Sequence, residues 1–354
     1  MEPILDWLNA PTSGERLENL RRALAYEPQA PQILPQYANN HIHTFYSFSP
    51  YSPTAAVWAA RAAGLSTAGI MDHDSIAGAA EFREAARLAG IGATCGVELR
   101  VSFAGTPFSN RRLNNPDQNG VAYMTLHSIR ARHFDRTAAF LRPLHEKREK
   151  RNRRMTERIR QVTGIALDYD RDVLPLSRAA EGGSVTERHL LFALAGKMLP
   201  EGTRDERYRL LGKLKSGLIR DIYLPADEEL LSLEEITAFA QEVDAILCYA
   251  YLGDVTDSPT GDKRAQTFED AYLEELLTYL KSRGVPAVTY MPSRNTREQL
   301  LRLMSLCRSL GFREISGEDI NSPSQSFLCP QLADPLFAHL VEAAWELVRR
   351  EENG

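Results

Sequence analysis

From residue 40 onward, short apolar runs alternate with amphipathic stretches. HIHTFYSF (41–48) precedes SPTAAVWAARAAG, STAGIMDHD precedes GAAEFREAARLAG, and IGATCGVELRVSF follows in turn. The short runs read as strands and the longer ones carry the 3.6-residue period of helices. This rhythm predicts parallel strands with helices outside them. Residues 104–120 (AGTPFSNRRLNNPDQNG) predict a loop, and VAYMTLHSI a return to strand. From about 134 to 240 helical periodicity dominates, which predicts a helical insertion. AILCYAYLGDV, VPAVTYMPSR and FREISGEDIN then resume the strands, with helical stretches between them. Residues 1–39 predict a helical arm and a proline-rich link (EPQAPQILPQ), and 331–354 a closing helix.

Composition changes this picture little. The 354 residues are 43% hydrophobic and carry a net charge of -5, so no global basic field calls for nucleic acid. The one basic run, KREKRNRRMTERIR (147–160), has apolar gaps at helical spacing and reads as a solvated helix face. The four cysteines are widely spaced with no CxxC pair, which suggests neither a disulfide framework nor a zinc knuckle. The start, MEPILDWLNA, lacks the features of a signal peptide, and no apolar run is long enough to span a bilayer. A reduced, cytoplasmic setting is the expectation.

The chemistry lies where the strand-like runs end. His41 and His43 stand at i and i+2, so they share one face of a strand. Asp72-His73-Asp74 follows the apolar STAGIM, Glu98 ends ATCGVE, His127 ends AYMTLH, and Asp319 and Asn321 follow REIS. In parallel barrels the C-terminal rim of the strands is where active sites are built. Histidine and carboxylate together are the donor mix that zinc, manganese and iron accept. Taken singly, each residue also has an ordinary structural reading, DHD as a helix N-cap for instance; their order and spacing make the signal.

This pattern of HxHT, DHD-S-x-x-G, GVEL and a late glycine-acidic motif resembles the polymerase and histidinol phosphatase (PHP) superfamily. His41, His43, Asp72, His73, Asp74, Gly78, Glu98 and Asp319 carry the match, from about residue 40 to 330. The resemblance implies a distorted (β/α)7 TIM-like barrel with a helical insertion. The barrel would be formed by 40–133 and 241–330, and the insertion by 134–240. It implies metal-dependent phosphoester hydrolysis by a metal-activated water. His41, His43, Glu98 and Asp319 would hold a first metal, Glu98 and His127 a second, and His73 would belong to a third. Arg188 and His189, in SVTERHLLFALA, would face the substrate phosphate, and Asp74 and His189 are candidates for proton transfer. Arg294, at the end of the strand-like VPAVTY, would add positive charge to the same pocket.

Three segments depart from the family pattern. Phe48 and Ser49 stand where an acidic or histidine ligand is common, Tyr251 where a histidine follows alanine, and Asn321 where the last motif ends in histidine. Phenol and amide are poor substitutes for imidazole. One or two divalent ions per chain, zinc favoured, and a small phosphorylated substrate are therefore expected. A relative that binds a metal or a phosphorylated ligand without turnover stays open. Membrane contact is excluded, and nucleic acid is disfavoured as a partner.

Overall fold

The apolar runs identified above become strands because branched and aromatic residues fill a surface buried on both faces. The computed structural model describes residues 2–26, 32–257 and 264–353; the 27–31 part of the proline-rich link lies outside them. Ten strands are formed: β1 (Leu34–Ile42), β2 (Leu65–His73), β3 (Gly92–Ser102), β4 (Val121–His127), β5 (Leu231–Ser232), β6 (Ile246–Ala250), β7 (Val255–Asp257), β8 (Arg264–Gln266), β9 (Ala287–Tyr290) and β10 (Arg313–Ser316). The main path runs β1-β2-β3-β4-β6-β9-β10, with β5 beside the far end of β3 and β7-β8 a separate ribbon. A parallel bridge between Ile42 and Ile320 brings the last segment back to the first strand, so the sheet nearly closes into a seven-stranded barrel. Gly317 makes that closure possible: a Cβ there would lie 2.6 Å from the Cβ of His41.

One strand departs from the expected parallel arrangement. β4 runs antiparallel to both neighbours, with Glu98 opposite Thr125 and His127 opposite Ile246. Residues 103–120 connect β3 to β4 without a crossover helix, and the chain returns in the antiparallel direction. The end of β4 therefore points to the barrel floor rather than to the rim.

Twelve helices are described. Those that matter for the site are α1 (Glu2–Leu8), α2 (Ser13–Tyr26), α3 (Pro53–Ala62), α4 (Ala79–Ala89), α5 (Phe134–Thr163), α6 (Glu187–Met198), α7 (Arg204–Gly217), α8 (Ile219–Ile222) and α9 (Leu233–Glu242). Their ends are written in sequence. Ser52 caps α3 through Ala55 N with Pro53 at the first turn, and Ser232 with Glu235 forms a capping box on α9. Two large apolar cores and one small cluster (Ile246, Cys248, Ala287, Ile315 and Leu347) result among the described residues. The larger fills the barrel and its helical coat and includes α9; the smaller gathers Met155, Ile159, Tyr169, Leu190, Leu194, Tyr208 and Ile222 from the insertion. Phe48, from the loop after β1, joins the smaller core. No helix among the described residues is long and apolar enough to cross a membrane.

Candidate metal centre

β1 delivers His41, and His43 follows one residue past its end. Asn39 and Asn40 set that strand against the C-terminal motif: the Asn39 amide donates to Glu318 O at 3.1 Å and the Asn40 amide to Ser316 O at 2.8 Å. β2 ends in His73, β3 carries Glu98 beside it, and the segment after β10 supplies Asp319. All converge at one end of the barrel. Glu98 Oε2 lies 3.0 Å from His73 Nδ1, 3.5 Å from His41 Nε2 and 3.6 Å from His43 Nε2. His43 Nε2 is 3.2 Å from Asp319 Oδ1. Two overlapping donor sets follow, His41–His43–Asp319 and His43–His73–Glu98.

His41 and His43 are buried, yet the Nε2 atom of each makes no hydrogen bond. Buried polar atoms without partners are costly and rare. Two of them aimed at two carboxylates fit a cation between them. The charges agree with this. Burial alone would raise Glu98, but His73 and His41 hold it well below the usual carboxylate range. Burial likewise opposes ionising Asp319, and its contact with His43 overrides that. His43 is held below the usual imidazole value by burial and by neighbouring His73.

The other candidates land in varied places. His127 is fully buried two positions below the level of Glu98, because β4 is antiparallel; neither of its ring nitrogens has a partner, and burial pushes its pKa down to about 3. It joins neither donor set. His189 turns away from the cleft. Its Nδ1 accepts the backbone N–H of Thr186 at 3.0 Å, and its ring packs edge-on to Phe48 at 4.9 Å. A helix-capping imidazole, pushed down to about 3 by burial, is not placed for proton transfer at the rim. Asp74 is ion-paired with Arg148 of α5 and its carbonyl meets His145, so it ties the insertion to the barrel. Arg188 and Arg294 both line the cleft between rim and insertion, together with His73, Glu98, Asp319 and Asn321. The Arg294 Nε also donates to Leu252 O at 3.0 Å.

The departures from the family pattern are resolved unequally. Tyr251 does not face the cleft; Ala250 and Leu252 do. Its hydroxyl donates to Asp270 at 2.7 Å. Asp254, just past Tyr251 and an oxygen ligand by residue type, accepts Phe268 N–H at 2.6 Å and is likewise engaged. Asn321 does sit in the site, and its amide donates to Asp319 Oδ1 at 2.6 Å. Sequence reasoning missed a buried network at the cleft wall: Arg100 to Glu187 at 3.0 Å, and Arg151 to Glu229 at 2.8 Å, with Arg148 alongside. Its members lie 87 or more positions apart where they join barrel to insertion, and no local pattern announces that.

A nearly closed, mostly parallel barrel with imidazoles and carboxylates gathered at one end defines a TIM-like barrel architecture with a candidate metal centre. Within that class the model of the PHP domain family matches residues 39–200, and the chain is PHP-like as its motifs indicated. A curated relative, the 5'-3' exoribonuclease of Haemophilus influenzae, is 30% identical over 186 residues, 51% of this chain and 58% of its own length. The chain thus spans under two thirds of that relative. Among solved structures, an amidohydrolase from Chromobacterium violaceum with bound sulfate and no metal superposes with a TM-score of 0.62 at 20% identity, covering 87% of this chain and 96% of its own. A protein from Bifidobacterium adolescentis, provisionally named a metal-dependent phosphoesterase, gives 0.61 at 20% identity over 85% and 96%. At that identity both show the shared fold.

Proposed function

We propose that the chain hydrolyses a phosphate ester at a centre of one or two divalent ions, zinc favoured. The single observation that carries this is the pair of buried, unpartnered Nε2 atoms of His41 and His43 facing Glu98 and Asp319. These four would hold one ion, and His73 with Glu98 would contribute to a second. A bound cation supplies Lewis-acid polarisation of a phosphoryl oxygen and a nucleophilic water near neutral pH. Arg188 and Arg294 line the adjoining cleft and would orient the phosphate by charge-assisted hydrogen bonds. The buried network of Arg100, Arg151, Glu187 and Glu229 holds the cleft wall behind them. Four buried thiols without disulfides suit a reducing compartment such as the cytoplasm.

A small phosphorylated molecule is the substrate the reading favours. The likeness to the exoribonuclease supports a second choice, a phosphodiester at the 5' end of RNA. The loss of ligand positions at Phe48 and Tyr251 supports a further reading, metal binding without turnover. The experiment measures metal content of protein purified without chelator, then phosphate or nucleotide release with added zinc or manganese. The substrates are a generic phosphomonoester, a nucleoside monophosphate and a 5'-phosphorylated oligoribonucleotide. Metal bound at one or two ions per chain with release from one of these supports hydrolysis. Metal bound with no release supports the binding-only reading, and no metal bound refutes both.

A further inference from the structure

The loop after β1 holds a hydroxyl that the metal reading does not use. Ser47 Oγ lies 2.6 Å from Asp72 Oδ1 and 3.2 Å from His43 Nδ1. All three side chains are buried. We propose that Ser47, anchored on Asp72, fixes the His43 imidazole in the tautomer that carries its proton on Nδ1 and leaves Nε2 bare for the metal. The proposal rests on the reading of His43 as a ligand.

The argument is a count of protons. A serine hydroxyl has one to give. Asp72 Oδ1 also receives the backbone N–H of Thr44 at 2.6 Å, and a backbone N–H can only donate. Oδ1 is therefore an acceptor, and the Ser47 proton goes to it. The Ser47 oxygen is then left with lone pairs, so the His43 nitrogen facing it must bring the hydrogen. Nδ1 is protonated, and Nε2 presents a lone pair toward Asp319 Oδ1 and Glu98 Oε2. A lone pair facing two carboxylates is repulsive unless a cation stands among them.

Asp72 cannot serve as a ligand as well. Its second oxygen takes the Thr44 hydroxyl at 2.6 Å, so three donors occupy the carboxylate. The first aspartate of DHD thus orders the loop that carries His43, and Ser47 passes that order to the ring. Metal-bound histidines commonly have their other nitrogen fixed in this way, and the fixing partner sets both orientation and basicity. Ser47 is a positioning residue: it touches the ligand, not the substrate.

The test uses the full chain with Ser47→Ala and Ser47→Thr. Nitrogen-proton NMR of the chelator-treated protein reads the His43 tautomer, and chelator competition reads the zinc affinity. In the wild type we expect Nδ1 protonated and Nε2 bare. Ser47→Ala should shift His43 toward a mixture of tautomers and weaken zinc binding by about 10- to 100-fold; Ser47→Thr should restore both. An unchanged tautomer with affinity within about twofold in Ser47→Ala would overturn the relay. If Ser47→Ala does not fold, the wild-type spectrum decides alone, since a proton on His43 Nε2 contradicts the proposal. If the wild type binds no zinc, the metal reading fails separately, and the tautomer still decides the relay.

Discussion

The two sides of the rim differ in what their polar atoms touch. On the side built by β1, β3 and the segment after β10, the Nε2 atoms of His41 and His43 are buried with no partner and face two carboxylates. On the side built after β6, Tyr251 is satisfied by Asp270, Asp254 accepts from Phe268 N–H, and Glu269 Oε1 accepts Leu252 N–H at 2.9 Å. The first side turns imidazole nitrogens toward carboxylates, while the second ties its side chains into hydrogen bonds with neighbouring structure, although the buried Glu269 Oε2 is left without a partner. Where the family resemblance leads one to expect a histidine, Tyr251 serves the packing and hydrogen bonding of this second side. Asn321 stands between the two, its amide on Asp319 and its carbonyl oxygen unpartnered.

The strongest way to break this contrast is His43→Ala. If the first side is a metal centre, metal content by elemental analysis should fall by at least one ion per chain. Hydrolysis should fall on the order of 10³-fold, with the melting temperature of the metal-free protein largely kept. Full metal occupancy in the variant would erase the difference between the two sides.

The next effect belongs to the second side and to pH. Burial, with Asp270 nearby, pushes the Glu269 carboxyl up to about 7 in the folded chain, against 4.5 in its ordinary state. A folded value above the unfolded one means that the native state binds the proton more tightly. Its stabilising share is full below pH 4.5 and is lost as pH rises through about 7. The loss amounts to about 3 kcal/mol. Glu269→Gln keeps an acceptor for Leu252 N–H and should flatten the dependence. Denaturant unfolding of both proteins at pH 5 and pH 8 measures it, and equal slopes would refute the account.

Histidine substitutions on the two sides sharpen the comparison further. Tyr251→His should add no metal, because position 251 points to Asp270, and should cost about 1–3 kcal/mol by leaving that carboxylate short of a donor. Asn321→His faces the cleft and should raise metal stoichiometry. The reverse outcome would show that the ring at 251 can turn inward. The smallest effect expected is from Arg188→Ala. It should reduce kcat/KM by roughly tenfold, about 1.4 kcal/mol, through lost phosphate contact, with metal content unchanged.

The parts of the molecule legible in the sequence were those written in short-range order. The apolar alternation marked the barrel strands, and HxH on one strand face placed two imidazoles together because pleating allows nothing else. Direction was not legible. VAYMTLH has the same pattern whether it runs up or down the barrel, so His127 was expected at the rim and lies below it. The outward turn of Tyr251 was hidden for the same reason: a one-residue shift in the alternation exchanges the cleft face for the coat. His189 shows another limit. Its spacing fits both a phosphate contact and a capping box, and Phe48, distant in sequence, favours the latter through packing.

One tie between the helices α2, α3 and α4 reaches beyond the site. Arg16, on α2, is 1% exposed and grips Glu81 of α4 with two hydrogen bonds of 2.9 and 2.6 Å. Glu81 in turn accepts the Thr54 hydroxyl at 2.7 Å on α3. The guanidinium also lies 5.1 Å from the centre of the Phe45 ring, two residues after His43. The family match begins at residue 39, so this clasp joins it to a segment outside it. Anyone trimming the chain to the matched region would strand an acid in the interior, at a cost of several kcal/mol. The stretch matched by the family model and the unit that packs together therefore have different edges in this protein, and the second is the larger.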